Sequence, residues 1–350
     1  MDSKTDIKGM VLAELISQEM NRREFSLAVG LGATAPFEFF RPLSNQAAAT
    51  RIEELRQITN QFASWYWRIS PSSLLPLLGD HQSRLMAIIQ SAPAKVLRPL
   101  QIIGSEVAVL AGLVAYKHDD LGTARRQFEL GTELARQAND GPAIAHAYRA
   151  QRNAISSASV RGGNRADSAR ALSMLDAAVA VAGAGAPPLQ LAMLFATRAE
   201  ERAVMGLKTE ALQDIDRVAR AVDQAGTPEV GYYDNWSETR LQGWHASVLL
   251  YLHRPVEAVK VLEQIVPATP DELVSDKADV LGDLGAAYAQ AGQPEQAVHC
   301  LTNSLHIARQ GGIDDGVARI QHVRNRHLSS YSDLPAVLEL DERLNLTVGV

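Results

Sequence analysis

The residues of this chain best suited to chemistry are arginines that recur with acids and an amide at close helical spacing. Tyr148, Arg149, Arg152 and Asn153 form one group, Arg198, Glu200, Glu201 and Arg202 a second, and Arg240, Trp244, Asp279 and Asp283 continue the series. A guanidinium offers a planar fork that matches a carboxylate, and an amide both donates and accepts. Arginine beside asparagine therefore suits a peptide's carboxylate or backbone, and the chemistry is recognition rather than bond breaking. A charged helix face is also what solvent alone selects. The candidate lining of a ligand or partner groove is Tyr148, Arg149, Arg152, Asn153, Arg198, Glu201, Arg240, Trp244 and Asp283.

Constellations that would carry a reaction are not found in the sequence. His299 with His306, and His322 with His327, are seven and five residues apart, not the i, i+4 pair that sets two imidazoles over one zinc on a helix. Gly30-Leu31-Gly32 follows no strand, and no phosphate loop or nucleophile elbow occurs. Cys300 sits beside Leu301 on a helical stretch and reads as a small packed side chain. The expectation is a binding protein with no catalytic residues, metal site or cofactor.

These side chains need a helical scaffold, and composition favours one. Across 350 residues the chain is 46% hydrophobic, 21% charged and only 5% aromatic, short of the residues that strands prefer. A net charge of −6 supplies no positive field for a phosphate backbone. One cysteine leaves no disulfide framework, and a cytoplasmic setting is expected. No run reaches the roughly 20 apolar residues of a spanning helix, so no membrane is expected. Asn21-Arg22-Arg23-Glu24-Phe25 before the stretch Ser26 to Phe37 has the look of a twin-arginine signal, but Glu38 follows and no small-residue cleavage site closes it.

Repeats organise the rest. In Ala278 to Arg309, Leu281, Leu284, Gly285, Tyr288, Gly292 and Ala297 fall as in a tetratricopeptide repeat: small residues let two helices approach, and larger ones fill the space between pairs. The second-helix marker Ala297 recurs at Ala124, Ala171, Ala211 and Ala258, 39 to 47 residues apart, longer than the standard repeat of about 34. Leu212, Ile215, Val218, Ala219 and Val222 form a stripe of helical period. Turns fall at Asn139-Asp140-Gly141-Pro142, Gly162-Gly163-Asn164, Gly183 to Pro188, Gly226-Thr227-Pro228 and Gly311-Gly312. Arg51 to Ile69 with Ser72 to Ala92 predicts a further helix pair, and Asp314 to Ser329 with Leu334 to Leu344 the polar closing helices.

The expected fold is all-α, a tetratricopeptide-like right-handed superhelix of antiparallel helix pairs. Residues 51–345 would form about six or seven pairs, preceded by an extension over 1–50 with an apolar segment at 20–43. Two aromatic groups stand out: Tyr232, Tyr233 and Trp236 beside the connection Gly226 to Asn235, and Trp65-Tyr66-Trp67. Three adjacent side chains on a helix cannot share one buried face, so one of the latter is expected to be exposed for a partner.

From Arg51 to Leu344 the chain resembles the tetratricopeptide sensor region of bacterial, actinobacterial-type, helix-turn-helix regulators of the XRE class. Met20 to Leu43, with Arg22-Arg23-Glu24-Phe25 and Pro36-Phe37-Glu38-Phe39-Phe40, is similar to the segment that follows the DNA-binding domain in those proteins. Residues 1–19 are too few for that domain, so the resemblance implies a sensor without its own reader. Two functions follow as expectations: a binding or regulatory repeat protein for a peptide, small signal or protein partner, compatible with a homodimer; or a transcription regulator whose helix-turn-helix is lost or supplied by a partner. Direct nucleic-acid binding by this chain is not expected.

Overall fold

The computed structural model describes residues 45–156, 165–183, 185–226 and 237–345. The 20–43 segment, the Gly162-Gly163-Asn164 turn and the Tyr232, Tyr233 and Trp236 group lie outside the described residues. Of the described residues 84% are helical and none forms a strand.

Fourteen α-helices occur among them: α1 Asn45–Trp65, α2 Pro71–Ser91, α3 Ala94–Lys117, α4 Leu121–Gln137, α5 Gly141–Ile155, α6 Arg165–Ala182 and α7 Pro188–Val204, then α8 Lys208–Ala225, α9 Glu238–Tyr251, α10 Pro255–Ile265, α11 Val274–Gln290, α12 Pro294–Gly311, α13 Asp314–His327 and α14 Pro335–Leu344. The array is a tetratricopeptide-like α-solenoid.

One local device makes six of the reversals among the described residues. Asp119, Asn139, Gly206, His253, Gly292 and Gly312 take positive φ, and after each of them the next amide N–H reaches five residues back: Asp120 to the Ala115 carbonyl, Leu207 to Arg202, Gln293 to Tyr288. This closes the preceding helix as a Schellman motif. The next helix starts at once, capped by Asp120 on the Thr123 N–H and by Asp140 on the Ala143 N–H, or opened by a proline such as Pro255 or Pro294.

Hairpin packing repeats with equal regularity. Gly112 faces Ala124 and Phe128, and Gly285 faces Ala297 and Leu301, at identical sequence offsets; Ala199 with Ala211 and Ile215, and Ala246 with Ala258 and Leu262, share that spacing and lie in common clusters. A Cβ on Gly285 would stand 2.7 Å from Leu301, well inside van der Waals contact, so the helices approach as closely as glycine permits. The α3 helix is by length and composition apolar enough to cross a membrane, contrary to the sequence expectation, but 83% of its apolar window is buried inside the fold.

First helices of successive pairs pack side by side, α3 with α5, α5 with α7, α7 with α9, α9 with α11 and α11 with α13, forming an inner wall. The wall then meets itself: α3 also touches α13. The start and the end of the solenoid therefore meet around a central concavity.

Candidate functional site

The concavity holds two adjoining cavities. The larger, about 490 Å³, is lined by Arg68 from the α1–α2 turn, Arg240 and Trp244 of α9, the 268–273 connection, and Asp276, Asp279 and Asp283 of α11, with Arg319 of α13. The second, about 320 Å³, is lined by Arg165, Tyr251, His253, His322, Arg326 and His327 among others. Ser247, Asp283 and Arg319 border both. Arg319 Nη2 donates to Asp283 and its Nη1 to Asp279 at 3.4 Å, so this ion pair stands between the chambers.

The chambers differ in charge. The first carries Glu200, Glu272, Asp276, Asp279 and Asp283 against three arginines. The second carries Arg165, Arg319 and Arg326 against Asp283. Burial, then the nearby Arg326, lowers the His322 imidazole and holds that of His327 at about 4, so both are neutral near pH 7. Burial likewise raises the Asp279 carboxyl, although Arg319 opposes the shift.

Of the residues expected to line one groove, the structure brings Arg240, Trp244 and Asp283 together in the first chamber. Arg152 and Glu201 lie behind the wall. Arg152 Nε donates to Glu201 at 2.5 Å and Nη2 to Glu200 at 2.7 Å, and Glu200 accepts a further bond from Ser247 at 2.9 Å. All three charged groups are buried, Glu201 completely, and Asn153 accepts from Arg152 at 3.3 Å. Arg149 is buried on the same helix.

Arg198 departs from the expectation. It turns toward the second helices, with Nε and Nη2 on Asp214 at 2.8 and 2.7 Å and Nη1 on Asp176 at 3.0 Å. Asp214 also takes Arg202 and Arg217. Tyr148 departs too: it accepts from Arg136 at 2.7 Å and lines a separate groove with Glu129, Gln151 and Arg170. The physical reason is shared. Each long side chain found an acid or phenol of this chain within reach, and sequence spacing records helix faces but not cross-helix partners.

Arg68, Ser247 and Arg319 were not singled out in the sequence. Arg319 lies in the closing helix, which reads as a polar cap; its place on a first helix, equivalent to the inner face of α11, is the signal that would have marked it.

Trp65-Tyr66-Trp67 also differs from expectation, since all three are buried, at 7%, 7% and 6% exposure. Helix α1 ends at Trp65, so the three side chains diverge along a turn, and α11 and α13 cover that turn from across the ring. Lys117 stands 4.0 Å over the Tyr66 ring and 5.1 Å from that of Trp67, and Arg240 lies 4.1 Å over Trp67.

No protein-family model and no curated protein matches the chain. Solved helical-repeat structures do. A Rap protein complexed with Competence and Sporulation Factor aligns over 87% of this chain and 88% of that chain, at 12% identity and TM-score 0.50. The P58(IPK) TPR domain aligns over 93% and 100%, at 11% identity and TM-score 0.25. The first likeness is one of fold.

Proposed function

We propose that the protein is a non-catalytic binding module whose central concavity takes a short, extended peptide with free ends. The change of charge sign along the two chambers carries this reading. A peptide ammonium suits the carboxylate-rich chamber, where Trp244 offers a face to a cation. A peptide carboxylate suits the arginine-rich chamber. Ser247, Asp283 and Arg319 between them supply donors and acceptors for a backbone. A Rap protein of similar fold is complexed with Competence and Sporulation Factor, which supports a bound partner as the role of this fold. The regulatory part of the proposal, a sensor of the XRE-class kind, rests on the sequence resemblance.

The test is a labelled pool of random hexapeptides offered with free ends, acetylated at the N-terminus, or amidated at the C-terminus. Free peptides are expected to bind, either block to weaken binding, and Trp244→Ala with Asp283→Asn to reduce it. Equal binding of all three pools, or unchanged binding by both variants, would overturn the reading.

A further inference from the structure

The seam where the solenoid meets itself is unlike its other interfaces. Lys117 at the end of α3 donates to Ser275 of α11 across 158 residues of sequence, at 2.5 Å. Next to it His118 pairs with Asp314 at 2.8 Å, both about half exposed. Arg240 stacks on Trp67 and pairs with Asp276 at 2.7 Å. Its apolar part is local: the buried Trp65-Tyr66-Trp67 turn, with Leu273 and Ala318 packed partly buried against the α1–α5 cluster. No chain connection crosses here, so parting this seam breaks no hairpin. Opening it costs only the hydrogen bonds, ion pairs and packing that span it, which is what local opening requires. The same residues wall the first chamber, since Arg68, Arg240, Leu273 and Asp276 line it.

We propose that this seam is a clasp that opens to admit ligand to the channel and that Asp315 sets its strength. Asp315 Oδ1 is buried with no hydrogen-bond partner, at the start of α13 between Lys117 and Asp279. Lys117 of α3 and Asp279 of α11 act on it directly, and through them it joins Arg240 of α9, Asp276 of α11 and Arg319 of α13, beside the His118–Asp314 pair. Backbone N–H groups of Asp315 itself and of Gly316 bond the carboxyl and favour its ionised form, but a charge on the sealed Oδ1 side is costly. Burial first, and then Asp279, push it up to about 7 despite Lys117. Lys117 is lowered by burial, while Asp315, Asp279 and Asp276 hold it up against that. With Asp315 protonated the seam carries one negative charge fewer among three neighbouring acids. Ionisation adds that charge where it is poorly solvated, and parting the seam lets water reach it. The clasp is therefore tighter below about pH 7 and looser above it.

This inference rests on the channel being the binding site, but its test needs no ligand. Spin labels on Ser83→Cys in α2 and Arg309→Cys in α12, both exposed positions, report the distance across the ring in the full chain; Cys300 is buried. The expected result is one distance at pH 5.5 and a growing longer population at pH 8.5. Asp315→Asn should keep the short distance at both values, and Ser275→Ala should raise the longer population at both. A single unchanged distance in the parent at both pH values, or an Asp315→Asn profile that follows the parent, overturns the clasp. Hexapeptide binding that survives either result leaves the channel reading standing.

Discussion

The back and the front of the ring both rely on charged side chains, yet they are built in opposite ways. At the back, Arg152 ties α5 to α7 through Glu200 and Glu201, all but sealed from water, and Ser247 adds α9. At the front, Lys117, His118 and Arg240 reach acids, a hydroxyl and aromatic faces over a seam that solvent partly enters. A buried, fully bonded network holds helices in one arrangement, because any loss strands a charge. The seam is held by side-chain contacts with no chain connection across it. Lys117 and the Trp65-Tyr66-Trp67 turn are buried within it, but its rim pair His118–Asp314 is half exposed, and water replaces those partners as the seam parts. The channel thus has a fixed wall and a yielding one.

The contrast breaks first at Arg152. Replacing it with methionine leaves Glu200 and Glu201 buried without their cation, and breaking a buried pair from one side costs roughly 3–5 kcal/mol. Denaturant unfolding should register that loss. An effect below about 1 kcal/mol, the size of an exposed pair, would mean the back wall is as yielding as the seam. Burial raises the Glu200 carboxyl even with Arg152 present, so the variant should recover part of the loss in acid, where Glu200 takes up its proton.

Hairpin packing comes next. Gly112→Leu and Gly285→Leu force a side chain into Phe128 or Leu301, which already stand 2.5 and 2.7 Å from where a Cβ would lie. Overpacking of this kind costs about 1–3 kcal/mol or more. Unchanged melting of both variants would show that these pairs do not set the hairpin spacing.

These same positions explain what the sequence could disclose. Gly285, Ala297 and Leu301 recur at fixed offsets because each hairpin solves the same packing problem, so helix pairs and fold class were readable from one chain. The candidate site was readable only in part. Arg240, Trp244 and Asp283 lie on inner helix faces that periodicity reveals. The partners that drew Arg152, Arg198 and Tyr148 elsewhere come from other helices. Ring closure was hidden for the same reason: nothing near Lys117 in sequence points to Ser275, and Trp65-Tyr66-Trp67 gains its cover from helices more than 170 positions away.

A pH-dependent effect separates the front wall from the rest. In the unfolded chain Asp315 titrates near 3.9, and in the folded protein at about 7. Below the lower value both states hold the proton; between the two only the folded state does. The folded protein therefore binds more protons there, and stability falls as pH rises from about 4 to about 7. Asp315→Asn has no such proton, so its melting temperature should change less over that range than the parent's. Parallel curves would remove Asp315 from the seam's energetics.

The smallest expected effect calibrates the others. Glu339 and Arg343 form an i, i+4 pair at 2.6 Å on α14, with side chains 63% and 51% exposed. Its length matches the Arg152–Glu200 contact at 2.7 Å, and the acid lies on the N-terminal side, the better order along a helix. If distance governed worth, the two pairs would be equal. Burial governs it, because at the surface each charge keeps its water, salt screens the attraction, and ordering two long side chains costs entropy. Arg343→Ala should therefore cost about 0.3–0.5 kcal/mol, shrinking further in high salt, while the Arg152 loss should change little with salt. A double-mutant cycle with Glu339→Ala isolates the pair. A coupling energy that rivals the Arg152 effect would mean burial does not separate the two, and the distinction between a fixed back wall and a yielding seam would fall with it.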